Sequence, residues 1–189
     1  MIKPESTINR KCKATDSCRL VNFRWQVDDV TIPFKPSSIF TFEETRQQRD
    51  KVNTGKEFHA SWDYNGKQTI LPTPKMSDGQ CHLQMAIPTP DHKHVLAIFS
   101  DHSKDGCNAI LYNMDGSIQH RIGAPKKMLS QNANDQSVFF CFMDCSWIKR
   151  LNGQMAPCIR LRFDTDYWED RIFDVEFCEL GELYDSGKY

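Results

Sequence analysis

The sequence predicts a mainly β protein, an antiparallel meander or sandwich with little helix. Two observations lead there. Five of the nine glycines directly follow Asn or Asp, in the pairs Asn65-Gly66, Asp78-Gly79, Asp105-Gly106, Asp115-Gly116 and Asn152-Gly153. Asn and Asp tolerate positive φ and Gly adopts it without steric cost, and a tight primed hairpin turn needs positive φ at both central positions. The second observation is the set of short apolar or alternating runs that flank these pairs. Alternation over several residues marks a strand with one face in water. Roughly eleven such runs recur at spacings near ten residues, the pattern of a sandwich, barrel or propeller. A propeller-like arrangement is the alternative within the class; a chain of this length holds at most about four blades, and no internal repeat of blade length is evident.

In order along the chain, residues 1–17 are polar throughout and read as a loosely packed lead. Residues 18–189 read as one all-β domain. The run CRLVNFRW (18–25) is a strand with Val21, Phe23 and Trp25 on one face, and SIFTF (38–42) is another. Residues 43–51, EETRQQRDK, lack any apolar side chain and form a short solvated helix or a polar loop. EFHASWDY and KQTIL pair around Asn65-Gly66. CHLQMAI is a strand closed by the prolines of PTPD. HVLAIFS, CNAILYN and SIQHRI make a three-strand meander, followed by SVFFCFM, CSWIKR and the alternating CIRLRF. The last strand is expected over RIFDVEFCEL, with Phe173, Val175 and Phe177 opposed to Asp174, Glu176 and Cys178.

Composition narrows the class further. No segment approaches the length of apolar sequence that a membrane span needs, and the polar N-terminus lacks the apolar core of a signal peptide. The expected location is the cytoplasm. The eight cysteines have no Cys-x-x-Cys pair and several lie in apolar runs, which suits buried thiols in a reducing compartment. The net charge of −1 conceals an asymmetry: residues 164–189 hold nine acidic and two basic side chains. Such asymmetry suggests a charged interaction surface.

Two constellations bear on chemistry. His92, His94 and His102 lie in DHKHVLAIFSDHSKDGC; if His92 and His94 share a strand face, their spacing suits a first-row metal. No spacing specifies a third ligand, and a polar strand entry explains the residues equally. No nucleophile elbow or phosphate loop occurs. The second constellation is DTDYWEDRIFDVEFCELGELYD, where carboxylates interleave with Tyr167, Trp168, Phe173, Phe177 and Tyr184. It does not follow a calcium-loop pattern. It reads either as a solvated strand face or as a patch that docks a basic protein through Tyr167, Trp168, Glu169, Asp170, Asp174 and Glu176. In that second reading aromatic anchors supply interface energy and opposite charge steers the encounter. Phosphates would be repelled there, which argues against direct nucleic-acid binding.

The run CNAILYNMDGSIQHRIGAP, with Asn113, Asp115, Gly116, Ser117, Ile118, Arg121, Ile122 and Pro125, resembles a hairpin of small bacterial proteins that include antitoxins and immunity proteins. It is also similar to a generic propeller-blade hairpin. The resemblance implies a cytoplasmic, non-enzymatic immunity protein without cofactor. Its partner would be a cognate toxin, a basic nuclease, whose active site it occludes. The alternatives are a small β-sandwich that binds carbohydrate and a metal-dependent enzyme centred on His92 and His94. One expectation is directly measurable. Thiol titration of the denatured, unreduced protein should recover close to eight thiols; recovering none would overturn the reducing compartment.

Overall fold

A computed structural model describes residues 19–34, 58–74, 81–100, 108–130, 138–163 and 167–188. Among them are twelve strands in three antiparallel four-stranded sheets and no helix. The first sheet holds β1 (Val21–Val27), β2 (Val30–Pro33), β3 (Phe58–Tyr64) and β4 (Lys67–Ile70), ordered β2-β1-β3-β4. The second holds β5 (Leu83–Pro88), β6 (His94–Phe99), β7 (Ala109–Asn113) and β8 (Ile118–Ile122). The third holds β9 (Phe139–Lys149), β10 (Met155–Phe163), β11 (Tyr167–Asp174) and β12 (Glu179–Lys188). The second and third are simple meanders of four strands, the unit from which propellers are built.

The turn chemistry explains the hairpins. Asn65 and Gly66 both take positive φ, 51° and 72°, and join β3 to β4 in the expected two-residue turn. Gly116 and Gly153, at 84° and 83°, serve longer turns, each closed by a bond from the glycine N–H to the carbonyl three residues back. The pairs at 78–79 and 105–106 lie outside the described residues, as do the expected strand at 38–42, the polar segment at 43–51 and the N-terminal lead.

Three expectations change. Asn22 has φ 54°, and the β1–β3 register shifts between Val21 and Arg24. That bulge turns Val21 outward and lets Leu20 be buried, while Phe23 and Trp25 stay inside as expected. SVFFCFM and CSWIKR are one eleven-residue strand, β9, because bulges opposite β10 absorb its irregular pattern. The run RIFDVEFCEL is two strands and a turn. Asp174 accepts hydrogen bonds from the N–H groups of Glu176 and Phe177, and Cys178 takes φ 56°, so the chain reverses there.

The second sheet organises the core. Every residue from Val95 to Phe99 and from Ala109 to Tyr112 is buried, so β6 and β7 are covered on both faces. This is why they read as continuous apolar runs rather than alternations. One hydrophobic cluster runs through all three sheets. Covering a sheet on both sides strands polar groups, and four side chains answer that. The indole N–H groups of Trp25, Trp62 and Trp147 donate to the carbonyls of Ala86, Met114 and Pro88 at 2.6–2.7 Å. Asn108 Nδ2 donates to the carbonyls of Phe99 and Phe142, and its Oδ1 accepts the Phe142 N–H. Phe34, which follows β2, meets the Trp147 ring at 5.2 Å, so the first and third sheets also touch.

Each buried partner left unpaired costs roughly 1–3 kcal/mol. Asn108→Ala orphans a buried N–H and removes the donor to two carbonyls. Urea denaturation should show a loss of roughly 2–4 kcal/mol; a loss below about 1 kcal/mol would mean that the apolar packing carries this seam alone.

Candidate interaction surface on the third sheet

The acidic segment singled out in the sequence forms β11, the turn after it and β12. Its residues divide by strand alternation, and the division corrects the sequence-based picture of one outward acidic face. Glu169, expected in the docking patch, lies within β11 and is fully buried. Its carboxylate accepts the N–H groups of Leu129 and Ser130 and pairs with Arg171, also buried. Arg171 donates in addition to the Lys127 carbonyl. Glu169 therefore ties the segment after β8 to the third sheet and is unavailable to a partner. Tyr167, on the same inward side, packs against the core, with the Lys188 ammonium 5.7 Å from its ring centroid.

Trp168 and Asp170 point the other way, opposite Arg162 and Arg160 on β10. Arg160 donates twice to Asp170 at 2.8 Å, and its guanidinium lies 4.1 Å from the Trp168 ring centroid. A Cβ on Gly187 would lie 2.8 Å from the Trp168 indole, so the ring rests against bare backbone. Trp168 is thus half-buried between Gly187 and Arg160, and the Asp170 charge is matched by a bidentate cation. Neither is the open anchor that the sequence suggested.

Asp174 and Glu176 do not share a strand face either. Asp174 ends β11 and spends an oxygen on the turn, and Glu176 lies in that turn. What remains in solvent is a run the alternation did not isolate: Glu176, Phe177, Glu179, Glu182, Tyr184 and Asp185, with Lys188 at the end of β12. Phe177 is 70% exposed and Tyr184 51%. They line the turn and β12, the outer strand of its sheet. The sequence points to both aromatics, but without the turn at 175–178 it places Phe177 with Phe173 and Val175 on one face of a continuous strand.

The histidine constellation comes apart in the structure. His92 takes φ 57° in the turn between β5 and β6, and its ring meets the edge of Trp147 at 5.9 Å. His94 begins β6; its Nδ1 is buried without a hydrogen-bond partner, and burial pushes its pKa down against the pull of Asp91. The two imidazoles share no strand face, because His92 sits at positive φ in the turn and only His94 belongs to the strand. His102 lies outside the described residues. No group of three or more His, Cys, Asp or Glu able to hold a metal occurs among the described residues.

The described cysteines are thiols in no disulfide. Burial pushes Cys145 well up and Cys158 to about 12, so both stay protonated and unreactive at neutral pH. No described helix is long and apolar enough to cross a membrane. Comparison with known proteins found no match: no protein-family model and no curated protein aligns with the chain.

The buried pair makes a clear prediction. Glu169→Gln leaves Arg171 buried without its anion, so urea denaturation should show a loss of roughly 3–5 kcal/mol. Hydrogen exchange at the Leu129 and Ser130 amides should accelerate with it. Unchanged exchange there would show that the segment after β8 is held by something else.

Proposed function

We propose that the chain is a binding protein whose partner is a basic protein, held along β12 and the turn before it. The specific form of this reading is an immunity protein that occludes a bacterial toxin, a nuclease. The observation that carries it is the exposure of Glu176, Glu179, Glu182 and Asp185 beside Phe177 and Tyr184 on an outer strand. The arginines of β10 and β11 in ion pairs are committed elsewhere, Arg160 to Asp170 and Arg171 to Glu169, and Lys188 is the single cation on β12. A nuclease must present Lys and Arg to hold phosphates. The same cations fit these carboxylates, and nucleic acid itself would be repelled from them. Exposed pairs contribute only about 0.2–1 kcal/mol each. Tight binding therefore needs Phe177 and Tyr184 desolvated at the centre of the contact. The thiol state of the described cysteines supports a reducing compartment such as the cytoplasm. A carbohydrate-binding or metal-enzyme reading has no comparable observation behind it among the described residues.

The test is capture of host proteins on the immobilised chain, followed by kinetics with the captured partner. Wild type should retain a basic protein. Glu179→Lys, Glu182→Lys and Asp185→Lys together should slow its association about tenfold at low salt and flatten the salt dependence. Phe177→Ala should mainly speed dissociation. An unchanged association rate with an intact β spectrum would reduce this edge to a solvated surface.

A further inference from the structure

The mode of binding can be read from the edge itself, on the premise that the partner is a basic protein. Strand β12 pairs with β11 on one side, and no described strand pairs with the other. Alternate N–H and C=O groups along that side face outward. The strand is ten residues long, whereas β2, β4, β5 and β8, the outer strands of the other two sheets, have four, four, six and five. The eleven-residue β9 is the opposite outer strand of the same sheet, but it packs across β5 and β6. So β12 is the long outer strand that no second described strand pairs with or packs extensively across.

Proteins usually shorten or charge such an edge to reject stray strands. Glu179, Glu182 and Asp185 exclude acidic and wholly apolar strands by repulsion and by desolvation. They leave one class admissible, because opposite charges across a strand pair stabilise it. We propose that an extended, lysine- or arginine-bearing segment of the partner adds to the third sheet as a fifth strand alongside β12. The β11–β12 register shifts on either side of Arg171 and then runs without interruption from Asp185↔Asp170 to Lys188↔Tyr167. The added strand would seat first on that regular end, with Asp185 supplying a carboxylate, Tyr184 at the register shift just before it an aromatic contact, and the added strand's cations placed away from Lys188. In strand addition the backbone supplies affinity and the alternate side chains supply selectivity.

The probe is the peptide Lys-Val-Lys-Val-Lys-Val-Lys and its fully N-methylated counterpart, which keeps the charge and cannot pair. The unmethylated peptide should bind the intact chain and slow exchange of outward-facing amides between Glu182 and Lys188 about tenfold. The N-methylated peptide should bind at least about tenfold more weakly. The triple reversal at 179, 182 and 185 should abolish binding of both. Absence of binding, absence of amide protection, or equal binding of the two peptides would overturn strand addition. Those outcomes leave the basic-partner reading standing if the triple reversal still weakens capture of the protein partner. That reading fails separately if the reversal changes nothing.

Discussion

Asn108 joins the second sheet to the third by taking both the N–H and the C=O of Phe142 while also satisfying Phe99. The architecture depends on seams of this kind. A sheet covered on both faces has no water to serve its stray polar groups, and the hydrophobic effect that covers it is not directional. Position is therefore set by the few polar groups that must find partners. The three indole N–H groups do the same work between sheets, each reaching a carbonyl of the second sheet or of its turns. Trp147 shows the economy of the arrangement. Its N–H meets Pro88, and its ring meets Phe34 and His92, so one side chain touches all three parts of the core.

The third sheet then sorts its charges by what each face can tolerate. On the inward face a carboxylate survives only with full compensation, and Glu169 has it from Arg171 and two backbone amides. On the outward face Arg160, Asp170 and Trp168 form a half-buried stack of opposite charge over an aromatic plane. Both groups of charges are internally balanced and project little field. The excess negative charge of the C-terminal segment is left to the turn and the outer strand. There it lies beside exposed aromatic rings and a strand edge that no other described strand pairs with. A balanced interior of the sheet and an unbalanced edge are what make the edge, rather than the face, the natural place for a basic partner.

Much of this was legible in the sequence. Asn65-Gly66 dictated its own turn because its two residues are those that accept positive φ most readily. Ile159, Leu161 and Phe163 alternate with Arg160 and Arg162, and that pattern named the buried side of β10 correctly. The antiparallel, helix-poor class followed from such local signals, which depend only on a residue and its immediate neighbours. The candidate site was legible only as a segment. Asp174 begins an Asx turn, but a carboxylate followed by Val-Glu-Phe-Cys reads as continued alternation until the reversal at 175–178 is seen.

What tertiary structure alone decided is which charges are spent. Glu169 and Glu179 look alike in sequence, each flanked by an aromatic or apolar residue and a charge or small residue within two positions. One is buried against Leu129, Ser130 and Arg171, and the other is in water, because the backbone amides that hold Glu169 come from about forty residues away. The fate of His92 and His94 was set in the same manner, by a turn packed against Trp147 from another sheet. Local sequence determines backbone preference through sterics and turn chemistry. Pairing of a buried charge or a stray N–H is settled by groups distant in the chain, and only the assembled core brings them within reach.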